Sequence, residues 1–177
     1  MAKPEIVLDW GRWSLKSTIS AKIGVELEKT DIVYEAPRCV YIISFKPPYA
    51  VKYLKGRSPV CYIGSGRAWR ILTHKDGWLC KLPLVLGKFA GYRIDGCEPR
   101  QRGRGHEVAY KRVESDLVSY FVDRLGERPL FNRRLGSTDY FYNYSKKGVR
   151  EIQNIFAKNP GVAFSKSVKS INLQVGT

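Results

Sequence analysis

Two hydrophobic runs with strand-like composition stand close together in the chain. Residues 40–45 read VYIISF and residues 60–64 read VCYIG, both rich in β-branched and aromatic side chains. Between them lies KPPYAVKYLKGRSP, whose prolines at 47, 48 and 59 and glycine at 56 are too disruptive for a long central strand. The pattern predicts an antiparallel hairpin with Tyr41 on one strand and Tyr62 on the other. Gly64 and Gly66 then permit a sharp turn. RAWRILTHK predicts a helix on which Arg70 and His74, four residues apart, share one face. Residues 83–94, PLVLGKFAGYRI, predict a third strand, and DGCEPRQRGRGHE (95–107) a loop.

The strongest helical pattern follows. In VAYKRVESDLVSYFVDRLG, the residues Val108, Val113, Leu117, Val118, Phe121, Val122 and Leu125 form a broad apolar stripe, and Gly126 suits the C′ position. Glu114 falls at the border of that stripe, so its carboxylate is expected to point towards the sheet edge. A last helix is expected near residues 148–157, and SVKSINLQV in the basic tail predicts a short strand. At the other end, Trp10, Trp13, Leu15, Ile19, Ile23 and Leu27 follow a helical spacing, which predicts a helical arm packed on the core. Arg12, Lys16 and Lys22 among these aromatics give the same arm an alternative role in contacting DNA. No repeat or low-complexity linker divides the chain. The expectation is one α+β domain over residues 1–177, with a core at about 38–132, an N-terminal arm (1–37) and a basic C-terminal extension (133–177).

Charge narrows the range of partners. Thirty-one Lys and Arg against 16 Asp and Glu give a formal net charge of +15, which implies a polyanionic partner, with nucleic acid ahead of an anionic membrane surface. The arginines Arg100, Arg102 and Arg104 alternate with small or polar residues in the 95–107 loop, where little bulk separates backbone from a phosphate. Together with Arg67, Lys111 and Arg112 they are the expected DNA contacts. Cys39, Cys61, Cys80 and Cys97 form no C-x-x-C pair and no zinc spacing, so they are expected to be reduced and mostly buried. The first residues carry no apolar core of signal length, and no run approaches the ~18 apolar residues of a membrane span. A soluble cytoplasmic protein, bacterial or phage-encoded, is expected.

Phosphodiester hydrolysis needs a positioned water, a group to deprotonate it and neutralisation of charge on the phosphoryl group. One carboxylate suffices for Mg²⁺, which keeps most of its waters and takes substrate oxygens as further ligands. Glu114 suits that task, and the planar fork of Arg70 suits a scissile phosphate better than lysine would. Tyr41 and His74 are both candidates for activating the water: histidine titrates near neutral pH, while a tyrosine needs its pKa lowered.

These residues carry a resemblance. Val40-Tyr41 in the first strand, Tyr62-Ile63-Gly64 in the second, Arg70-x-x-x-His74, Glu114-x-x-Leu117 and Pro129-Leu-Phe-Asn132 occur in the order found in the GIY-YIG nuclease family. The match spans residues 39–132. The resemblance implies a small three-stranded antiparallel sheet flanked by helices, with the arm and tail as elaborations, and a Mg²⁺-dependent DNA endonuclease in which Mn²⁺ can substitute. It places Tyr41 and His74 at the attacking water, Arg70 on the phosphate, Tyr62 on the phosphate or a metal-bound water, Glu114 on the metal, and Asn132 in a supporting hydrogen-bond network. The first motif departs from the family name in having Cys39-Val40-Tyr41, a mild change, since only the tyrosine has a chemical task. The turn before Arg70 is shorter than is common, which makes Arg67 its rival. The size of the chain and its dispersed basic elaborations are most like the compact type II restriction enzymes, acting as homodimers on double-stranded DNA. Repair, mobile-element or phage-defence nucleases, or a non-catalytic basic DNA-binding protein, are the alternatives.

Overall fold

The hairpin that the sequence predicts forms one end of an antiparallel sheet. A computed structural model describes residues 3–18, 24–28, 39–66, 92–101, 109–157 and 162–164. In chain order these hold β1 (Glu5–Val7), β2 (Gly11–Thr18), β3 (Gly24–Glu28), β4 (Cys39–Phe45), β5 (Tyr49–Tyr53), β6 (Gly56–Ser58), β7 (Val60–Gly66), β8 (Tyr92–Cys97) and β9 (Arg100–Gln101). Helix α1 (Tyr110–Leu125), β10 (Asn143–Tyr144), helix α2 (Lys146–Ala157) and β11 (Val162–Phe164) follow. The architecture is α+β.

The largest sheet has the order β3-β2-β8-β4-β7, with every neighbouring pair antiparallel. Strand β4 lies between its hairpin partner β7 and the later strand β8, so Tyr41 is opposite Gly64 on one side and Gly96 on the other. The register slips between Ile43 and Ser44, which places the extra residue Cys61 in β7; its thiol donates to the Ile43 carbonyl at 3.3 Å. Two smaller sheets complete the strands, β10-β1-β9 and β11-β5-β6.

Three expectations are corrected. The N-terminal residues form strands where a helical arm was expected. Trp13 and Leu15 alternate along β2, and Val25 and Leu27 alternate with Glu26 and Glu28 along β3. This period of two fits a pleated strand, and pairing Leu15 with Leu27 and Trp13 with Ile94 extends the expected three-stranded sheet to five. The third core strand starts at Tyr92 among the described residues and runs through Asp95 to Cys97, beyond its expected end at Ile94. Asp95 is tolerated in a central strand because Arg93, two residues back on the same face, donates to it through Nε at 2.7 Å. The interrupted segment after β4 also pairs with itself, as β5 and β6. The tail stretch expected as a strand, residues 167–175, lies outside the described residues.

Helix α1 follows its apolar stripe. Val113, Leu117, Val118, Phe121 and Leu125 are buried, and Phe121 meets Tyr53 and Phe156 edge-to-face at centroid separations of 5.0 Å each. The helix ends where expected: Gly126 has φ of 81° and its N–H bonds to the Val122 carbonyl at 2.7 Å. Its start has no side-chain cap; instead Tyr142 Oη accepts from the Ala109 N–H at 3.3 Å. Cys39, Cys61 and Cys97 are buried free thiols, as expected, and burial pushes the Cys39 thiol up to about 12. Among the described residues no helix is long and apolar enough to cross a membrane.

Candidate active site

The hairpin register brings the two tyrosines together. Because Tyr41 faces Gly64 and Ile43 faces Tyr62, the tyrosines are diagonal neighbours on one face of the β4–β7 pair. Their ring centroids are 6.1 Å apart, inclined at 35°. Gly64 makes this arrangement possible. A Cβ on Gly64 would sit 2.6 Å from Tyr62 Cε1 and 2.7 Å from both Cζ and the hydroxyl oxygen of Tyr41. The glycine of the YIG motif therefore serves as floor space for two rings. Gly64→Ala is expected to displace them. Tyr41 is buried, so its ring has little room to yield, and overpacking of this kind costs about 1–3 kcal/mol. Any nuclease activity should fall further than that stability loss accounts for. Thermal melting and plasmid cleavage check it; a variant that melts and cuts like the wild type would show that the rings move without consequence.

Helix α1 delivers the carboxylate. Its side packs on β7 and β4 and carries Glu114 to the end of β7, where Ser65 Oγ donates to Glu114 Oε2 at 2.5 Å. Burial raises the Glu114 pKa; hydrogen bonding from Ser65 and the positive charges of Lys111 and Arg134 oppose that rise. Burial likewise raises the Tyr41 phenol, reinforced by Tyr62 and Glu114, and raises Tyr62. Hydrogen bonding between the two phenols adds to the rise at Tyr41 and opposes it at Tyr62. Both are neutral phenols in the free protein at neutral pH, gathered with one partly buried carboxylate at one end of the hairpin.

Asn132 acts from the side. Strand β7 is the outer strand of its sheet, and its free edge is covered by the chain that follows α1. Phe131 N–H donates to the Cys61 carbonyl at 2.9 Å. The Asn132 carboxamide then spans Ile63 in both directions: Oδ1 accepts from the Ile63 N–H at 2.9 Å, and Nδ2 donates to the Ile63 carbonyl at 2.8 Å. With both ends of its amide committed and the residue buried, Asn132 holds the strand that bears Tyr62 and Ser65.

The structure thus brings Tyr41, Tyr62 and Glu114 together and places Asn132 behind them. Arg67, Arg70, His74, Arg102, Arg104 and His106 lie outside the described residues. Lys111 and Arg112 are exposed on the first turn of α1, Lys111 close enough to act on Glu114 and Arg112 over the Phe141 ring at 5.3 Å. Arg100 is exposed on β9, opposite Val7, with Glu98 3.7 Å away. Two contributors went unnoticed in the sequence. Ser65 follows the YIG motif directly and is a hydroxyl next to an expected carboxylate site. Arg134 lies two residues beyond Asn132, and only the folded loop brings it near Glu114.

Among the described residues no group of three or more His, Cys, Asp and Glu side chains converges. A carboxylate such as Glu114 suits a hard cation that keeps most of its water and borrows substrate oxygens. This chain matches no protein-family model, no curated protein and no solved structure.

Proposed function

We propose that this chain is a Mg²⁺-dependent endonuclease of GIY-YIG type acting on double-stranded DNA, most like a sequence-specific restriction enzyme. One observation carries the proposal: the Glu114 carboxylate, held by Ser65, stands beside the Tyr41–Tyr62 pair on the hairpin. Those are the elements that the motif order pairs in such nucleases. The net charge of +15 supports a polyanionic substrate.

In this assignment Glu114 and Ser65 hold the divalent ion's protein ligand in place. When bound, the ion neutralises charge on the phosphoryl oxygens and acidifies water. Tyr62 orients a phosphate oxygen, while Arg70 pairs with the scissile phosphate through two N–H groups. Tyr41, a neutral phenol in the free protein, can take a proton only after nearby cations bring its pKa down; His74 is the other candidate, since histidine as a residue type needs no such help. Asn132 keeps β7 straight against the load of the site. One such site cuts one strand per visit, so cutting both strands of a symmetric sequence calls for a homodimer or for sequential nicking.

Incubating the protein with supercoiled plasmid in Mg²⁺ and in chelator tests the proposal. Mg²⁺-dependent nicking or linearisation is expected, and sequencing of the new ends gives the cut position and stagger. Tight DNA binding without any cleavage would instead make it a non-catalytic DNA-binding protein.

A further inference from the structure

Beyond Asn132 the chain crosses from β7 to α1 as a loop fixed at both ends. At the first end, the Asn132 carboxamide is bonded twice to Ile63. At the second, Gly136 lies so close to α1 that a Cβ there would collide with the Ser119 hydroxyl, the Ser119 nitrogen and the Ser115 carbonyl. Ser137 N–H donates to Ser115 Oγ at 2.8 Å, and Ser119 Oγ donates to the Ser137 carbonyl at 2.6 Å. Within the span, Arg128 Nη1 holds the Arg133 carbonyl at 3.0 Å.

The three residues between these fixed points, Arg133, Arg134 and Leu135, are exposed, Leu135 at 64%. They bridge the strand that carries Ser65 and the helix that carries Glu114. Ser65, which holds Glu114, is two residues beyond Ile63 on β7, and Ser115, which holds the loop's far end, follows Glu114 on α1. The positive charges of Arg134 and Lys111 both act on the Glu114 carboxylate. Two adjacent arginines on a short loop whose backbone is already anchored lose side-chain but little backbone freedom when they engage a ligand. A guanidinium presented this way matches the two oxygens of a phosphodiester.

We propose that the Arg133–Leu135 loop is a second phosphate clamp of this site, in which Arg134 grips a DNA backbone phosphate next to the one that is cut. The proposal rests on the nuclease assignment. The clamp supplies register: Arg134 fixes where the backbone lies relative to Glu114, and the rigidity of the loop comes from Asn132 on one side and Gly136 on the other. Lys111, on the adjoining turn of α1, adds charge to the same phosphate track.

The full-length protein tests this in two measurements. Binding of a fluorescent duplex without divalent metal, followed over a salt series, reads the number of phosphates neutralised. Plasmid cleavage in Mg²⁺ at saturating protein reads the register. Arg134→Ala, at an exposed position and therefore compatible with folding, is expected to flatten the log–log salt slope by about 0.9, one phosphate's worth, and to slow cleavage roughly tenfold or more. Arg134→Lys should restore the slope but only part of the rate, because an ammonium cannot reproduce the two-pronged contact. If the wild type binds and cuts DNA while Arg134→Ala leaves slope and rate unchanged, the clamp is overturned and the nuclease assignment stands. A wild-type protein that neither binds nor cuts duplex DNA overturns both.

Discussion

Glu114→Gln should leave supercoiled plasmid intact in Mg²⁺ under conditions where the wild type consumes it, while binding duplex DNA at least as well. The substitution removes the only carboxylate positioned at the hairpin's tyrosine pair among the described residues, yet it subtracts one negative charge from a surface that must meet phosphates. It should also make the metal-free protein more stable at neutral pH. Burial raises the folded-state pKa of Glu114, so the fold favours the protonated form. That preference contributes fully below the unfolded value, about 4.3 for glutamate, and is lost as pH rises through the folded value. At neutral pH the wild type therefore carries a buried charge that glutamine avoids, although glutamine can still accept from Ser65. The melting temperature of the variant should exceed that of the wild type by a few degrees at most, since 1 kcal/mol is worth roughly 2–4 °C in a chain of this size. The gap should close as pH falls into the ordinary carboxylate range. If the carboxylate holds the metal, cleavage needs its ionised form and should fall off on the acid side. Near-normal cleavage by Glu114→Gln would remove the carboxylate from the mechanism. A lower melting temperature at neutral pH would mean that the Ser65 bonds outweigh the burial of charge.

The parts legible in the sequence are those that local periodicity specifies. Helix α1 appears within two residues of its apolar stripe and ends on the glycine that its C-terminus requires. The β4–β7 hairpin appears where two β-branched runs flank a broken stretch, and its register makes Tyr41 and Tyr62 diagonal neighbours. What escaped depends on partners remote in sequence. Trp13, Leu15, Leu27 and their neighbours satisfy a helical spacing and an alternating one about equally, and only the open edge of β8 decides in favour of strands. Asp95-Gly96 has the composition of a turn, yet Arg93 neutralises the aspartate from within the strand. Arg134 was invisible because a loop's course depends on its anchors. Those anchors are a carboxamide reading a strand edge and a glycine pressed to a helix. In the tyrosine-rich stretch after it, Tyr142 and Tyr144 pack on the core and cap or tether α1.

That tether gives the largest expected loss of stability. Asp116 is fully buried on α1, and its carboxylate accepts from the Phe141 N–H at 2.8 Å, the Tyr142 N–H at 3.1 Å and the Tyr144 hydroxyl at 2.7 Å. Its position betrays it: three residues after Val113, it lies on the apolar stripe itself, where an unpaired carboxylate is intolerable. Asp116→Ala strands two backbone donors and a phenol at once, and it releases the segment that caps Ala109 and positions Phe141 under Arg112. The expected cost is about 3–5 kcal/mol, a large share of the 5–15 kcal/mol typical of a whole domain. The corresponding fall in melting temperature is roughly 6–20 °C. Asp116→Asn should lose less: its oxygen can still serve Tyr142 and Tyr144, leaving a donor facing a donor at Phe141. Hydrogen exchange at the Phe141 and Tyr142 amides should quicken in both variants. Two residues along the helix turn a side chain by roughly 200°, so Asp116 faces away from Glu114, and the fraction of Asp116→Ala that folds should cut plasmid at the wild-type specific rate. An alanine variant that melts within about 1 kcal/mol of the wild type would show that these donors find water as readily as the carboxylate. One that stays folded yet loses cleavage would place Asp116 in the chemistry instead.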